Sequence, residues 1–110
     1  MIDTHGERFL SRCFTPGERA YAEQNPRRRH EHLAARFAVK EAVLKALGTG
    51  WSGGIAWTDV EVLRDAAGKP TVALHGEAAK VAAEQGAVRW SVSITHVQGH
   101  AMASAIAEDA

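Results

Sequence analysis

The sequence predicts an α+β domain, an antiparallel sheet with helices packed against it. Three observations carry this. Residues 29–47 keep an apolar repeat near 3.6 residues per turn and end at Gly48-Thr49-Gly50, which reads as one long helix. Two pairs of β-rich runs each flank a turn sequence, which reads as two hairpins. The order of segments is α-α-α-β-β-α-β-β, so the strands pair with their neighbours in antiparallel fashion.

Each element follows from local signals. Residues 6–12 read as the tail of a helix, with Phe9 and Leu10 apolar. Thr15-Pro16-Gly17-Glu18 opens the next helix, with Thr15 as N-cap, Pro16 in the first turn and Glu18 three residues after the cap. This helix runs to about Gln24, and Asn25-Pro26 breaks it. After the long helix comes the loop Trp51-Ser52-Gly53-Gly54. The runs Trp57–Leu63 and Pro70–Leu74 flank Arg64-Asp65-Ala66-Ala67-Gly68-Lys69 as a first hairpin. Gly76 to Gln85 is an Ala-rich helix ending at Gly86. Val88–Thr95 and Ala101–Ile106 form a second hairpin around Gln98-Gly99.

With 110 residues the chain makes one domain, residues 1–110. A domain of this size buries only about two thirds of the surface its unfolded chain exposes, so association with further copies would help it. Its composition, 45% apolar and 24% charged, excludes a disordered chain. Net charge is zero but unevenly spread. Residues 1–50 hold nine Lys/Arg against six Asp/Glu, and residues 51–110 hold four against seven. The basic half is the one to set against an anionic partner or ligand. Cys13 is the only cysteine, placed between Leu10 and Phe14 in an apolar setting, and reads as a core residue. A chain with no disulfide framework, no secretory signal and no run near the roughly 20 apolar residues of a membrane span is expected in the cytoplasm.

The chemistry concentrates on the long helix. Leu33, Phe37, Leu44 and Leu47 form a narrow core stripe, and Lys40 falls in the middle of it. A lysine there either runs its stem along the core and surfaces its ammonium or meets an anion. A second face holds Ala34, Ala38, Glu41 and Lys45. Glu41 and Lys45 can be a solvated i, i+4 ion pair worth about 0.3–0.5 kcal/mol. They can also be a metal–phosphate site, because the remaining helix looks buried nearly all round and the alanines leave space for a ligand. Upstream, Arg27-Arg28-Arg29-His30 suits a solvated turn, a nonspecific nucleic-acid contact, or, with Arg36, a multiply charged phosphate ligand. His5, His30, His32, His75 and His100 form no metal-binding spacing. Ser93 and Thr95 alternate onto one face of a strand that ends at His96.

Arg36-Phe37-Ala38-Val39-Lys40-Glu41-Ala42-Val43-Leu44-Lys45-Ala46-Leu47-Gly48-Thr49-Gly50 resembles the signature of the 4'-phosphopantetheinyl transferase superfamily, in its small holo-(acyl-carrier-protein) synthase branch. Phe14-Thr15-Pro16, Asp59-Val60-Glu61-Val62, Gly68-Lys69-Pro70 and Ser91-Val92-Ser93-Ile94-Thr95-His96 resemble the branch's further landmarks, in order. The resemblance implies that fold and a transfer of phosphopantetheine from coenzyme A to a serine of an acyl carrier protein. It implies Glu41 as a Mg2+ ligand, and Lys45 on the reacting phosphates, protonating the leaving 3',5'-ADP. Arg27, Arg28, Arg36, Phe37 and Gly48 match positions lining the coenzyme A site. Ser93, Thr95 and His96 match a strand that reaches the coenzyme from a neighbouring subunit of a homotrimer.

The family pattern begins with a strand carrying Gly-x-Asp, whose aspartate is a second Mg2+ carboxylate. This chain starts within the helix that follows, and Asp3 lies too close to His5-Gly6-Glu7-Arg8-Phe9 to replace that aspartate. Either the true start lies upstream of this one or the chain is truncated; loss of the strand would remove a carboxylate from the metal and open a sheet edge, with Arg8 and Arg12 keeping part of the carrier-protein docking surface. The rival expectation is a catalytically impaired remnant that binds coenzyme A or carrier protein without transfer. A nucleic-acid-binding domain is disfavoured by the zero net charge and the want of an aromatic platform.

Overall fold

A computed structural model describes residues 4–48, 54–87, 89–97 and 100–108, with only the backbone described at 4–6, 96, 97 and 100. Asp3, most of the expected loop at 51–54, Val88 and the Gln98-Gly99 turn lie outside the described residues. Among the described residues the elements are α1 (Thr4–Cys13), α2 (Pro16–Glu23), α3 (Arg29–Leu47), β1 (Val60–Arg64), β2 (Pro70–Leu74), α4 (Gly76–Glu84), β3 (Arg89–Val97) and β4 (His100–Glu108). The α+β expectation holds. No described helix is long and apolar enough to cross a membrane.

The helix starts follow their caps. Thr15 accepts the Glu18 amide on its hydroxyl at 3.2 Å, and the Glu18 carboxylate accepts the Thr15 amide at 2.9 Å. This reciprocal box is worth about 1 kcal/mol. Asn25 leads into a short 3-10 turn, Pro26–Arg28, from which α3 begins. At the far end of α3, Gly48 sits at φ +79°, a left-handed position that favours glycine, and its amide reaches the Lys45 carbonyl at 3.0 Å. The Gln85 side chain, just past α4, donates to the Leu47 carbonyl at 2.7 Å and satisfies another terminal acceptor.

The start of the first strand differs from the expectation. Residues 57–59 form a 3-10 turn, and the strand begins only at Val60. The aromatic and β-branched residues there imitate a strand, but the Asp59 carboxylate accepts the Ala56 amide at 3.2 Å and curls the chain. The hairpin β1–β2 pairs Val60 with Leu74 through to Arg64 with Pro70. Its turn is closed by Asp65, whose Oδ1 accepts the amides of Ala67 and Lys69, both at 2.9 Å. The hairpin β3–β4 pairs Arg89 with Glu108 through to Val97 with His100.

The main core joins α3 to both hairpins and α4. Val39, Val43, Leu44 and Leu47 meet Ile55, Val60, Val62, Ala78 and Ala82, with Val92, Ile94, Ala103 and Ala105 packed against them. Each fully buried Val or Leu contributes about 1.5–3 kcal/mol. A second cluster of Leu10, Cys13, Phe14, Ala22 and Leu33 ties α1 and α2 to α3. Cys13 is a core residue as expected, and burial pushes its thiol up from the ordinary value against the opposing charges of Lys40 and Arg12.

Candidate active site

The middle of α3 separates two sets of charges. Lys40 lies on the buried side with 0% exposure, and Glu18 opposite it has 1%. The lysine did meet an anion, and the anion belongs to the protein. Lys40 Nζ stands 2.9 Å from Glu18 Oε1, 3.1 Å from the Trp57 carbonyl, and also donates to the Val60 carbonyl. Glu18 Oε2 accepts the Val62 amide at 2.8 Å. All three ammonium donors and both carboxylate oxygens are thus engaged. Burial pushes Lys40 below the ordinary lysine value, and the Glu18 charge acts in the opposite direction.

A connected set of groups runs toward the surface. The Thr15 hydroxyl donates to Glu61 Oε2 at 2.8 Å, and His75 Nε2 lies 3.0 Å from Glu61 Oε1. Hydrogen bonds from His75 and Thr15 hold the Glu61 carboxyl below the usual glutamate value. A carboxyl depressed in the folded state adds stability that is complete above its unfolded value, about 4.3, and lost as pH falls through the folded one. Glu61→Gln is therefore expected to melt below the parent chain at pH 7, with the gap closing as pH falls below about 4. A gap that stays constant from pH 7 to pH 3 would count against these bonds.

Glu41 and Lys45 occupy the opposite side of α3. Both are exposed, as are Ala34 and Ala46. This corrects the expectation of a helix buried nearly all round: the face of Ala34, Ala38, Glu41 and Lys45 is its open face. Among the described residues neither the Glu41 carboxylate nor the Lys45 ammonium has a hydrogen-bond or ion-pair partner. Two opposite charges one turn apart are thus left, among the described residues, open to a ligand. Among the described residues no three or more acidic, His or Cys side chains are grouped so that they could hold a metal ion. One free carboxylate fits Mg2+ as a single protein ligand, since that ion commonly takes one or two carboxylates with phosphate and water oxygens.

The other candidate residues are distributed as follows. Arg27 and Arg28 lie exposed in the 3-10 turn before α3, and Arg28 Nε pairs with Glu31 at 3.0 Å. Arg36 is 2% exposed, and its guanidinium lies over the Tyr21 ring at 4.2 Å and donates to the His32 carbonyl at 3.3 Å. Its Nε is buried and has no partner among the described residues. Arg64 approaches the same ring at 5.6 Å. Desolvation, then the neighbouring Arg64 charge, pushes Arg36 below the ordinary arginine value, against the raising effects of Tyr21 and Glu18. Phe37 is half-buried in an aromatic cluster, 4.7 Å from Trp57 and 6.4 Å from both Phe9 and Phe14 by ring centroids. Gly48 is exposed at the end of α3. Arg8 and Arg12 are exposed on α1.

Ser93 and Thr95 are exposed on β3, where Ser93 Oγ meets Ser104 Oγ at 2.8 Å. Val92 and Ile94 alternate with them and pack into the core beside α3. Ser93 and Thr95 consequently face away from the helix that carries Glu41 and Lys45. His96 pairs with Ala101 in the β3–β4 ladder. Two features escaped the sequence reading: Glu18 as the buried partner of Lys40, and Tyr21 as the platform under Arg36. The capping position of Glu18 was the only local sign of the first.

The model of the 4'-phosphopantetheinyl transferase superfamily matches residues 1–105. A holo-(acyl-carrier-protein) synthase of Koribacter versatilis is 47% identical over 108 residues, covering 98% of this chain and 86% of that protein. The solved holo-(acyl-carrier-protein) synthase of Neisseria meningitidis superposes with a TM-score of 0.81 at 36% identity, over 94% of this chain and 82% of that one. The Bacillus anthracis synthase, solved in complex with CoA (3',5'-ADP), has a TM-score of 0.76 at 31% identity, over 99% of this chain and 87% of that one.

Proposed function

The chain belongs to the 4'-phosphopantetheinyl transferase superfamily, with relatives that are holo-(acyl-carrier-protein) synthases, and from that premise we propose that it moves 4'-phosphopantetheine from coenzyme A to a serine of an apo acyl carrier protein in a Mg2+-dependent reaction. The serine Oγ forms a bond to the phosphorus that carries the pantetheine. The bond from that phosphorus to the bridging oxygen breaks, and 3',5'-ADP leaves with that oxygen. The observation that carries this reading is the open face of α3, where Glu41 and Lys45 stand exposed among alanines and without a partner among the described residues.

In this reading Glu41 holds the Mg2+ ion. When bound there, the ion supplies charge neutralisation at the pyrophosphate. Lys45 donates to the phosphate oxygens and protonates the leaving 3',5'-ADP. The serine belongs to the partner, so this chain needs no nucleophile of its own. Glu41 acting through a water is the candidate base. Arg27, Arg28 and Arg36 attract the anionic coenzyme, with Phe37 and Gly48 along its site, and Arg8 and Arg12 on α1 meet the carrier protein. The test is incubation with apo carrier protein, coenzyme A and MgCl2, read by intact mass. The carrier is expected to gain one phosphopantetheine. No gain at any Mg2+ concentration favours the reading of a chain that binds without transfer.

The site is completed by other copies of the chain. Ser93, Thr95 and His96 serve a neighbour's coenzyme, because Ser93 and Thr95 face away from their own α3. The same outer face carries Met102 and Ile106, 62% and 61% exposed, which is apolar area that a partner copy would cover. The chain is expected to scatter light as a trimer of the 11.8 kDa unit. A stable monomer that binds coenzyme A at full affinity would refute the shared site.

A further inference from the structure

We propose that Glu18 is a positioning residue for the α3 site, acting through Lys40 to set how α3 is turned and so where Glu41 and Lys45 stand; the part of this that concerns transfer rests on the function proposed above. Val39, Val43, Leu44 and Leu47 pack α3 against both hairpins and α4, and a directional polar contact adds to that packing. Toward β4 it meets Ala103 and Ala105, small side chains whose hydrophobic attraction has no preferred direction. Hydrogen bonds do have one. At the middle of α3 these converge on one buried pair. Glu18 Oε1 takes Lys40 Nζ and the Thr15 amide, both at 2.9 Å, and Oε2 takes the Val62 amide at 2.8 Å. Lys40 also reaches the carbonyls of Trp57 and Val60. The start of α2, the turn before β1, the β1 strand and the middle of α3 are thereby tied at a single ion pair, the carboxylate holding α2 and β1 and the ammonium holding the turn.

The next residue along α3 after Lys40 is Glu41, and Lys45 follows one turn later. A rotation of about 10° moves an atom about 6 Å from the helix axis by about 1 Å. A misplacement of about 1 Å at reacting groups costs on the order of 100-fold in rate. Buried ion pairs contribute little net stability against apolar replacements, so holding an orientation is a use better matched to this pair than holding the fold together.

The test uses Glu18→Asp, which keeps the charge and shortens the reach by one methylene. Three quantities are read against the parent chain: thermal melting, amide residual dipolar couplings of α3 relative to the β3–β4 hairpin, and kcat and KM for coenzyme A at saturating MgCl2. The expected result is a folded chain with shifted α3 couplings, kcat lowered about 100-fold and KM within about threefold. Unshifted couplings overturn the proposal whatever the activity. Shifted couplings with the parent kcat overturn it as well. If Glu18→Asp does not fold, the double variant Glu18→Gln/Lys40→Met, which removes both charges and keeps the volume, is read by the same criteria. Two unfolded variants would show that Glu18 serves the fold alone, and overturn the proposal. A parent chain that transfers nothing fails the functional reading instead, and the couplings then decide the orientation claim alone.

Discussion

Lys40→Met is expected to lower stability by about 3–5 kcal/mol, the usual cost of removing one member of a buried ion pair. For a chain of this length that is a fall in Tm of roughly 12–20 °C. Methionine keeps the stem and its packing, so the loss does not come from a cavity. It comes from Glu18, which stays fully buried as a carboxylate with two backbone amides and no counter-cation. The carbonyls of Trp57 and Val60 lose a donor at the same time. The competing view treats Lys40 as a snorkelling side chain whose ammonium reaches water, for which the cost would be under about 1 kcal/mol. Thermal melts separate the two. A fall of less than about 3 °C would mean that water reaches the pair. Removing the second charge as well, in Glu18→Gln/Lys40→Met, is expected to recover much of the loss, because the cost lies in the unpaired charge more than in the missing bond.

What could be read from the sequence was whatever a short stretch decides for itself. The Thr15–Glu18 capping box spans three residues and was legible, and so were α3, its glycine stop at Gly48, and both hairpins. Trp57–Asp59 was misread because side-chain type alone does not reveal that Asp59 folds back onto the Ala56 amide. The core stripe of α3 required Lys40 to surface or to meet an anion, yet Glu18 could not be chosen as that anion, since a pairing between α2 and α3 is set by tertiary packing. The same holds for Glu61, which meets Thr15 and His75 from a different element in each case. The open face of α3 was legible as a face but not as an exposed one. Alanine fits both a buried and a solvated position, so Ala34 and Ala46 gave no sign of which they were.

Glu41→Gln is expected to lower transfer at least 100-fold while leaving the melting temperature within about 2 °C of the parent. The two halves of this expectation rest on separate arguments. Glu41 is exposed, with no ion-pair or hydrogen-bond partner for its carboxylate among the described residues, so its loss breaks nothing within the fold. Surface changes of that kind usually stay within about 0.5 kcal/mol. The activity argument is electrostatic. Phosphoryl chemistry relies on positioning and charge neutralisation more than on covalent steps by the enzyme. Glutamine keeps the volume and one oxygen but removes the formal charge that holds a hard cation in competition with water. Losing one well-placed stabiliser of developing charge typically costs about 100- to 1,000-fold. Lys45 would remain to meet the phosphates, so coenzyme A should still bind and the loss should fall on kcat. The measurement is kcat for parent and variant with one apo carrier protein across a MgCl2 titration, beside thermal melts of both. A variant close to the parent rate at limiting Mg2+ would remove Glu41 from the metal site. It would leave the Glu41–Lys45 face as an ordinary solvated surface, and the open side of α3 would no longer carry the functional reading.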